Sequence, residues 1–567
     1  MVYPRRMGKV RDLLRTTRAK AREGGERVSN AAKVLTRSGL LSVLTPRGVG
    51  ALVKILRKES RSPAELYRIH AANTPEKIAL VDRGKSWTYR ELDEAADRLA
   101  RGLVARGAKK GVTGVLLMKN RAEFFLLQVA IARLGGAAVS VSWRSTPDEL
   151  VYLTEHCGAS FLFADHDVLE TVDAALPRLS KLPPEAVFVV GGGDPRGLYA
   201  AVESLETEGA PFVDESENAA VVIYTSGTTG KPKGAVRKFP KDALAQAFRT
   251  IVLTPMRHDD VHLVVCPLYH STAFGFCTLT FLLGGTVVVL EEFRPEAFLD
   301  AVERHGVTVT ALVPTMLHRI LALPREVRLR YDTSSLRTIV TAGAPLSGPL
   351  ALSVLDAFGD VLFAFYGATE TGLVTLAGPD DLRRQPNTIG KAIAGNTILL
   401  LDDDGNEVPR GQVGELFVQS PLLVEGYHKD AGATAASRRR DAFSVGDLAR
   451  VDENGCYFIE GRKRDMIISG GVNVYPAEVE QALEAHPGVA EAAVIGVPDS
   501  EWGERVRAFV VAKKDHALDD AELRAFCRSR LAGPKNPREF VFLEALPRNP
   551  TGKVLKRELR SSTEAPG

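Results

Sequence analysis

The sequence is poor in cysteine, and the few cysteines it has are scattered. Five are spread over 567 residues, with no Cys-x-x-Cys pair among them. An odd number at wide spacing argues against a disulfide framework and against a zinc site. The chain also opens without the apolar segment of a signal peptide. We therefore expect a cytoplasmic protein in a reducing compartment.

Long apolar runs are equally scarce. Only residues 261–290 lack Asp, Glu, Lys and Arg over a length that would cross a bilayer. Pro267 and the pair Gly284-Gly285 interrupt this run, which is typical of soluble elements rather than of a membrane span. The run predicts a strand, a pocket turn, a helix and a second strand. The predicted strands are Val261–Val265 and Thr286–Leu290, and the predicted helix covers about Ala273–Leu283.

The net charge of +3 conceals an uneven distribution. Residues 1–60 hold 15 basic and 4 acidic side chains, so the rest of the chain is net negative. Val49, Leu52, Val53 and Leu56 follow helical spacing beside basic residues, and a basic amphipathic helix can lie on an anionic membrane. Such a helix can equally dock on the body of the protein, and both readings stay open. Nucleic-acid binding is not expected, because the segment lacks interleaved aromatic residues.

From about residue 62 onward, short apolar strands alternate with helical stretches. This alternation predicts an α/β fold with largely parallel sheets. Thr88 and Glu91 form a capping box before a helix whose apolar face includes Leu92 and Leu99. The predicted strands include Ala137–Val141, Ala219–Tyr224, Val307–Val313, Leu336–Thr341 and Val361–Phe365. Helices are predicted at Pro476–Ala485 and Asp519–Leu531, with strands at Ala492–Val497 and Val506–Val511 between them.

One segment is rich in glycine, hydroxyl groups and lysine directly after an apolar strand. It runs Tyr224-Thr225-Ser226-Gly227-Thr228-Thr229-Gly230-Lys231-Pro232-Lys233-Gly234. Glycines allow a sharp turn and close approach of backbone N–H groups to a ligand, and hydroxyls and cations complete a phosphate site. The common P-loop is excluded, because Pro232 follows Lys231 where that motif requires Ser or Thr.

This segment closely resembles the phosphate loop of the adenylate-forming superfamily, which contains acyl-CoA ligases, luciferases and carrier-protein adenylation domains. Five further motifs resemble that family in its order, over roughly residues 62 to 558. They are Pro267-Leu268-Tyr269-His270, Thr341-Ala342-Gly343-Ala344-Pro345, Tyr366-Gly367-Ala368-Thr369-Glu370-Thr371-Gly372, the pair Val445–Leu448 and Gly461–Asp465, and Pro550-Thr551-Gly552-Lys553.

The resemblance implies an architecture and a reaction. It implies a large multi-layer α/β domain over 62–464 and a small mobile α+β domain over 465–567, behind a basic extension at 1–61. The implied reaction joins a carboxylic acid to coenzyme A through an acyl-adenylate, using ATP and Mg²⁺ and releasing AMP and pyrophosphate. A medium- or long-chain fatty acid is the first expectation. The alternatives are an aryl acid–CoA ligase and an enzyme that loads a carrier protein.

The same resemblance implies that residues in these motifs bind the nucleotide. Tyr366 stacks on adenine, Asp447 accepts bonds from the ribose hydroxyls, and Arg462 contacts ribose or phosphate. Glu370 and Thr225 are the expected magnesium ligands, since Mg²⁺ prefers hard oxygen ligands. The remaining expected ATP-binding residues are Ser226, Gly227, Thr228, Thr229, Gly230, Lys231, Gly343, Ala344, Pro345, Gly367, Ala368 and Thr369.

The resemblance also implies the catalytic groups. Lys553 bridges the substrate carboxylate and the α-phosphate, Thr369 touches that phosphate, and Glu370 and His270 complete the catalytic set. The small domain turns about Asp465 for the second half-reaction, which brings Gly470 and Gly471 to the pantetheine arm of coenzyme A. The family's usual basic or hydroxyl residues before Gly446 are replaced by Ser444 and Val445, and its lysine before the hinge aspartate is Arg464.

Two readings from other classes remain beside the ligase. A luciferase-type oxidative enzyme shares the same motifs and is not rejected by the sequence. A non-catalytic nucleotide-binding or scaffold protein is disfavoured, because Thr225, Glu370, Asp447, Arg462 and Lys553 are all present. The expected partner is a small carboxylic acid, and peripheral attachment to the inner face of a membrane through residues 1–61 is the second expectation.

Overall fold

The computed structural model describes most of the chain. The described residues are 33–56, 62, 64–210, 212, 219–225, 233–238, 241–514, 516–549 and 553–561. Residues 226–232 of the predicted phosphate loop lie outside them, and so do residues 1–32 and 550–552. The described segments form α/β layers in a large amino-terminal part and a small α+β part after it, which confirms the predicted fold class.

The strands of the large part are numbered in chain order. They are β1 Ile78–Asp82, β2 Lys85–Thr88, β3 Thr113–Leu117, β4 Ala137–Val141, β5 Phe161–Asp165, β6 Val187–Val190, β7 Ala200–Ala201, β8 Ala220–Thr225, β9 Lys233–Lys238, β10 Val261–Val264, β11 Thr286–Val289, β12 Val309–Leu312, β13 Thr338–Thr341, β14 Leu362–Ala368, β15 Gly372–Ala377, β16 Lys391–Ala392, β17 Thr397–Leu401, β18 Gly414–Gln419, β19 Arg438–Arg439, β20 Ala442–Phe443, β21 Asp447–Val451 and β22 Tyr457–Arg462.

The α-helices of the large part are numbered in the same way. They are α1 Pro46–Leu56, α2 Ala64–Asn73, α3 Tyr89–Ala105, α4 Ala122–Arg133, α5 Pro147–Cys157, α6 Leu169–Ala175, α7 Lys241–Val252, α8 Ser271–Leu283, α9 Pro295–His305, α10 Pro314–Leu321, α11 Arg325–Arg328, α12 Gly348–Phe358, α13 Pro379–Arg384 and α14 Ala431–Ala436.

Two large sheets form the scaffold. The first has the order β7-β6-β5-β3-β4-β8-β9 and is parallel except for the β8–β9 hairpin. The second has the order β16-β15-β14-β13-β12-β10-β11-β1-β2 and is parallel from β14 to β1. Because β8, β13 and β14 each run into a predicted motif, the motifs follow the carboxyl ends of parallel strands, where α/β proteins bind ligands.

A third sheet and the small domain follow. The third sheet is antiparallel, in the order β19-β20-β18-β21-β22 with β17 against β18. The small domain has the sheet order β24-β23-β26-β25 with β27 against β26. Its elements are β23 Ile467–Ser469, β24 Val472–Val474, α15 Pro476–Glu484, β25 Val489–Asp499, β26 Gly503–Ala512, α16 Asp520–Arg528, β27 Glu539–Phe542 and α17 Lys556–Ser561.

Local sequence signals are confirmed where they are strongest. The Thr88 Oγ1 accepts a hydrogen bond from Glu91 N (3.2 Å), and the Glu91 carboxylate accepts one from Thr88 N (2.8 Å). The run at residues 261–290 folds as β10, α8 and β11, and the two strands pair in parallel. Within the described residues, every helix is too short or too polar to cross a bilayer.

The amino-terminal segment docks on the body of the protein from residue 34 onward. Val34 is 1% exposed in an apolar cluster that includes Phe276 of α8. The Ser38 carbonyl accepts a hydrogen bond from His258 N at 2.9 Å. In α1, however, Val49 and Val53 stay 44% and 41% exposed. Residues 34–38 therefore dock on the body of the protein, while α1, to which the two interpretations applied, presents an exposed apolar strip.

A buried ion-pair network stabilises the junction of α3 and α4. The Arg133 side chain is fully buried, its Nη1 donates to Asp97 Oδ1 at 2.5 Å, and its Nη2 donates to Asp93. Arg68 of α2 contacts the same Asp97 at 2.9 Å. Removing one partner of such a network leaves uncompensated charge in a low-dielectric interior, which is far more costly than removing an exposed ion pair.

We expect Arg133→Ala to lower the free energy of unfolding of the large domain by about 3–5 kcal/mol. The control is Arg304→Ala, which removes an exposed partner of Asp300 on α9 and should cost only a few tenths of a kcal/mol. Urea unfolding followed by intrinsic fluorescence measures both. Equal shifts for the two variants would contradict a structural role for the buried network.

Candidate functional site

The turn from β14 to β15 carries three of the predicted residues. Ala368 N donates to Thr371 Oγ1 (3.1 Å), and Thr371 N donates to the Ala368 carbonyl (3.2 Å), so the turn closes on itself around Thr369 and Glu370. A Cβ on Gly367 would lie 2.1 Å from the Gly372 carbonyl oxygen. Only glycine therefore fits at residue 367, which explains why the motif has it there.

Tyr366, Asp447 and Arg462 form one polar group. The Tyr366 hydroxyl donates to Asp447 Oδ2 at 2.8 Å, and Arg462 Nε lies 3.1 Å from Asp447 Oδ1. Asp447 and Arg462 are register partners at the ends of β21 and β22. Burial, followed by the Asp447 carboxylate, raises the pKa of Tyr366 well above its usual value. The tyrosine thus remains a neutral donor, and its ring is held by a contact that sequence reasoning did not predict.

Glu370 is held beside the strands that carry the predicted phosphate loop. Its side chain is buried, and its Oε1 accepts a hydrogen bond from the Tyr427 hydroxyl at 3.1 Å. Tyr427 in turn pairs through its backbone with Ala235 of β9. Sequence reasoning missed Tyr427, whose only signal was an aromatic residue directly after Gly426.

The predicted phosphate loop connects two paired strands. β8 and β9 are antiparallel, and their last pair is Thr225 with Lys233. The Thr225 backbone ends β8, whereas its side chain and residues 226–232 lie outside the described part of the chain. The roles of Thr225, Ser226, Gly227, Thr228, Thr229, Gly230 and Lys231 therefore stay predictions.

Lys553 of the small domain lies close enough to Asp447 and Arg462 of the large domain for their charges to act on it. Burial, and next the charge of Arg462, lowers the pKa of Lys553 to about 8, while Asp447 acts in the opposite direction. The backbone at Lys553 is fixed by Asn549, whose side chain accepts from Lys553 N at 2.8 Å and whose N donates to the Lys553 carbonyl at 2.9 Å. The structure therefore brings the predicted lysine to the predicted ribose site.

The predicted hinge is braced on both sides. Asp465 Oδ1 lies 3.0 Å from Arg560 Nη2, so an ion pair connects the hinge to α17. Lys463 N donates to the Gly446 carbonyl at 2.8 Å. Ser444, which replaces the family's usual residue, accepts from Gly446 N at 3.0 Å and so shapes that turn. Arg560 was not identified from the sequence, because the contact spans 95 residues.

The second nucleotide motif lies beside the first. β13 pairs in parallel with β14, so Gly343, Ala344 and Pro345 follow the strand adjacent to the Tyr366 strand. Gly343 has a φ of +84°, a left-handed backbone conformation that glycine adopts without strain. Their contact with adenine stays a prediction.

The acyl side of the site begins at α8. His270 precedes this helix, its ring lies 4.3 Å from the Tyr269 ring, and burial lowers its pKa to about 4. The imidazole is therefore neutral at physiological pH, and its catalytic role stays a prediction. Ser271 and Thr369 hydroxyls are 3.3 Å apart, which joins the acyl motif to the β14–β15 turn.

An apolar cavity lies along one face of α8. Phe274, Thr278 and Phe281 of α8 line it together with residues of α2, α4 and β8. Phe276 of the same helix is instead buried on the opposite side, edge-on to Phe365 with ring centroids 5.2 Å apart. The helix therefore presents Phe274 rather than Phe276 to the cavity.

Gly470 and Gly471 form the tight turn between β23 and β24. Their φ values of +57° and +77° match the two-residue hairpin turn that needs positive φ at both positions. Gly470 N donates to the Trp502 carbonyl at 2.8 Å, and a Cβ on Gly470 would lie 2.5 Å from the Trp502 ring. Position 470 thus has room for glycine only, whereas position 471 favours glycine through its positive φ alone.

Comparison of the chain with known proteins identifies the same family. A family model described as AMP-binding enzyme matches residues 67–428, and one described as AMP-binding enzyme C-terminal domain matches residues 478–553. A feruloyl-CoA synthase from Amycolatopsis sp. is 36% identical over 497 residues, which cover 86% of this chain and 96% of that protein.

Two further matches differ in their acids and acceptors. The fatty acid–[acyl-carrier-protein] ligase ScoC from Streptomyces coeruleorubidus is 33% identical over 506 residues, covering 87% of this chain and 94% of that protein. The solved o-succinylbenzoate CoA synthetase (MenE) from Bacillus subtilis, in complex with the acyl-adenylate intermediate OSB-AMP, superposes with a TM-score of 0.74 at 30% identity. That match covers 87% of this chain and 97% of the solved chain.

The pKa of Lys553 leads to a kinetic expectation. If its charge serves adenylation, kcat/KM for that half-reaction should fall as pH rises through about 8, because the ammonium loses its proton there. Lys553→Ala should abolish adenylation, a loss of about 3 kcal/mol or more, and spare thioester formation from supplied acyl-adenylate. Rates of acid-dependent pyrophosphate release and of thioester formation measure the two steps.

Lys553→Gln is the matched control for size without charge, and it should behave like the alanine variant. A loss of equal size in both half-reactions would show that Lys553 does not act on adenylation alone. A kcat/KM for adenylation that stays constant in the wild-type enzyme as the pH rises through about 8 would exclude Lys553 as the titrating group.

Proposed function

The chain belongs to the AMP-binding enzyme family, and we propose that it is an acid–coenzyme A ligase acting through an acyl-adenylate. The observation that carries the proposal is the meeting of Lys553, Arg462 and Asp447 beside Tyr366. Two cations and one carboxylate there suit a ribose next to an anionic phosphate. The proposal includes a hinge at Asp465 and the division into residues 62–464 and 465–567.

The first half-reaction joins two anions, so it needs positive charge between them. A carboxylate oxygen of the acid attacks the α-phosphorus of ATP, and the bond to pyrophosphate breaks. Lys553 bridges the carboxylate and the α-phosphate, with Thr369 as a hydroxyl donor to the same phosphate. Lowered by burial, the pKa of Lys553 rises again when these anions enter, because opposite charges favour the protonated form.

Magnesium is the proposed metal of this step. The donor set fits it: the Glu370 carboxylate is a hard oxygen ligand, and Tyr427 holds it against the hairpin in which Thr225 ends β8. Glu370 and Thr225 would hold the ion. When bound, it supplies neutralisation of phosphate charge.

The second half-reaction transfers the acyl group to sulfur. The thiolate of coenzyme A attacks the acyl carbon, and AMP leaves with the bonding electrons. In the proposal the small domain turns about Asp465. The ion pair between Asp465 and Arg560 (3.0 Å) either breaks during this rotation or moves with the small domain. Gly470 and Gly471 would then border the pantetheine arm, because a turn without side chains allows close approach.

We favour an aryl acid as the substrate, with a fatty acid as the second candidate. The aryl reading rests on the similarity to the feruloyl-CoA synthase, the more identical of the relatives described. The fatty-acid reading rests on the apolar cavity along α8, which extends from Phe274 past Thr278 to Phe281.

A panel of acids decides between the two. Cinnamic acids and straight-chain acids of 4 to 14 carbons, each with ATP, magnesium and coenzyme A, are assayed for AMP and acyl-CoA. We expect the highest kcat/KM for an aryl acid. If fatty acids use the cavity, Thr278→Phe should exclude about three methylenes, each worth ~0.8 kcal/mol, and lower kcat/KM for long chains roughly 60-fold.

The same substitution should leave aryl acids unaffected, which makes it its own control for folding. Ser353→Phe, on the exposed side of α12, controls for the added bulk. Equal loss for aryl and alkyl acids would contradict a chain-binding cavity. AMP formation without acyl-CoA, recovered only with a carrier protein, would contradict coenzyme A as the acceptor.

Attachment to anionic lipid is the proposed role of the amino-terminal segment. The exposed strip at Val49 and Val53, next to the exposed Arg47 and Lys54, supports it. Deleting residues 1–32 should weaken binding to phosphatidylserine vesicles in a salt-dependent manner, since each basic residue near the surface adds about 1 kcal/mol. Val49→Ser with Val53→Ser should weaken it further. Sedimentation with vesicles measures both, and salt-insensitive or absent binding of the full chain would contradict the proposal.

A further inference from the structure

A histidine and tyrosine cluster lies behind the β8–β9 hairpin, outside the residues assigned so far. His156, in the last turn of α5, places its Nδ1 2.8 Å from the Tyr224 hydroxyl of β8. The Tyr152 ring stacks on His156 with centroids 5.3 Å apart and an interplanar angle of 26°. One strand of the hairpin is therefore connected to α5 by a side-chain hydrogen bond whose imidazole is held in place by stacking.

The second strand is connected to the same cluster. His428 N donates to the Gly234 carbonyl of β9 at 2.8 Å, and the His428 ring lies perpendicular to His156 with centroids 5.2 Å apart. Lys429 Nζ donates to the His156 carbonyl at 2.7 Å. Lys429 has a φ of +53°, a strained conformation for a residue with a side chain, and the turn therefore bends back toward α5.

Both histidines act as neutral packing groups with polar edges. The pKa of His156 is lowered mainly by burial and next by the neighbouring His428. The pKa of His428 is lowered mainly by burial and next by the charge of Lys429. Burial also raises the pKa of Tyr224, so its hydroxyl stays protonated. A neutral imidazole–phenol hydrogen bond is directional, which makes it suitable for fixing a strand end rather than for binding charge.

We propose that His156 and His428 are positioning residues for ATP: they hold Tyr224 and Gly234, which pair with each other in the hairpin, against α5, and thereby fix the position of the strand ends that the phosphate loop connects. The inference rests on the proposed function. The cluster reaches the β- and γ-phosphates only through the hairpin, and it touches neither the adenosine residues nor the acyl motif in the contacts above. Its loss should therefore weaken binding of the triphosphate more than binding of AMP.

The test compares ATP with AMP on the full chain. Calorimetry of His156→Ala should show a fivefold to tenfold weaker ATP affinity, about the value of one hydrogen bond, and an unchanged AMP affinity. The KM for ATP should rise by the same factor with little change in kcat. Thioester formation from supplied acyl-adenylate should be unaffected, because that substrate has no β- or γ-phosphate.

Conservative variants separate positioning from mere stability. His156→Asn keeps a polar atom near the Nδ1 position and should recover most of the ATP affinity. Tyr224→Phe removes only the hydroxyl and should match His156→Ala, with no further loss in the double variant. His318→Ala, an exposed histidine on α10, is the control and should change nothing.

Two results would overturn the inference. One is a His156→Ala variant with the wild-type ratio of ATP to AMP affinity. The other is a parallel loss of both half-reactions with a lowered melting temperature and no recovery in His156→Asn. Failure of the proposed function is recognised separately, because the wild-type enzyme would then form no AMP with any acid of the panel, while the nucleotide affinities could still be measured.

Discussion

The Asp447 carboxylate holds together three parts of the molecule at the candidate site. It accepts a hydrogen bond from Tyr366 of the nine-stranded sheet, pairs with Arg462 of the antiparallel sheet, and acts on Lys553 of the small domain. A single negative charge among two cations and a phenol is stable only if all four groups are kept in register. The sheets and the docked small domain provide that register.

The same charges act on Lys553 of the small domain. Lys553 enters a partly buried place next to Arg462, and two cations in proximity disfavour each other unless an anion lies between them. Asp447 supplies part of that compensation, and the Asp465–Arg560 pair braces the hinge. Under the proposed function, an incoming carboxylate and phosphate would complete the neutralisation that Asp447 only begins.

The nucleotide side and the acyl side differ in how strongly the framework constrains them. On the nucleotide side, Gly367 tolerates no Cβ, since the Gly372 carbonyl occupies that space. On the acyl side, the environment of a residue depends on which face of α8 it occupies. Phe274 lines the cavity and Phe276 packs away from it, so two residues separated by a single glycine have opposite environments. Under the proposed function, substitutions along α8 would therefore change the preferred acid without disturbing the nucleotide side.

Much of the fold and the nucleotide side was readable from the sequence. Apolar runs marked strands such as Ala137–Val141, and the Thr88–Glu91 box marked a helix start, because these signals depend on neighbours in the chain. The motifs likewise named Tyr366, Asp447, Arg462 and Lys553, which the structure brings together.

Tertiary structure alone decided the contacts that support those residues. Tyr427 beside Glu370, Arg560 beside Asp465 and His156 beside Tyr224 are separated by 57, 95 and 68 residues. No local pattern encodes such pairs, since each depends on how two sheets and a small domain pack. The burial of Val34 against α8 is of the same kind: its apolar side chain was visible in the sequence, but the surface that covers it is formed only when the chain folds.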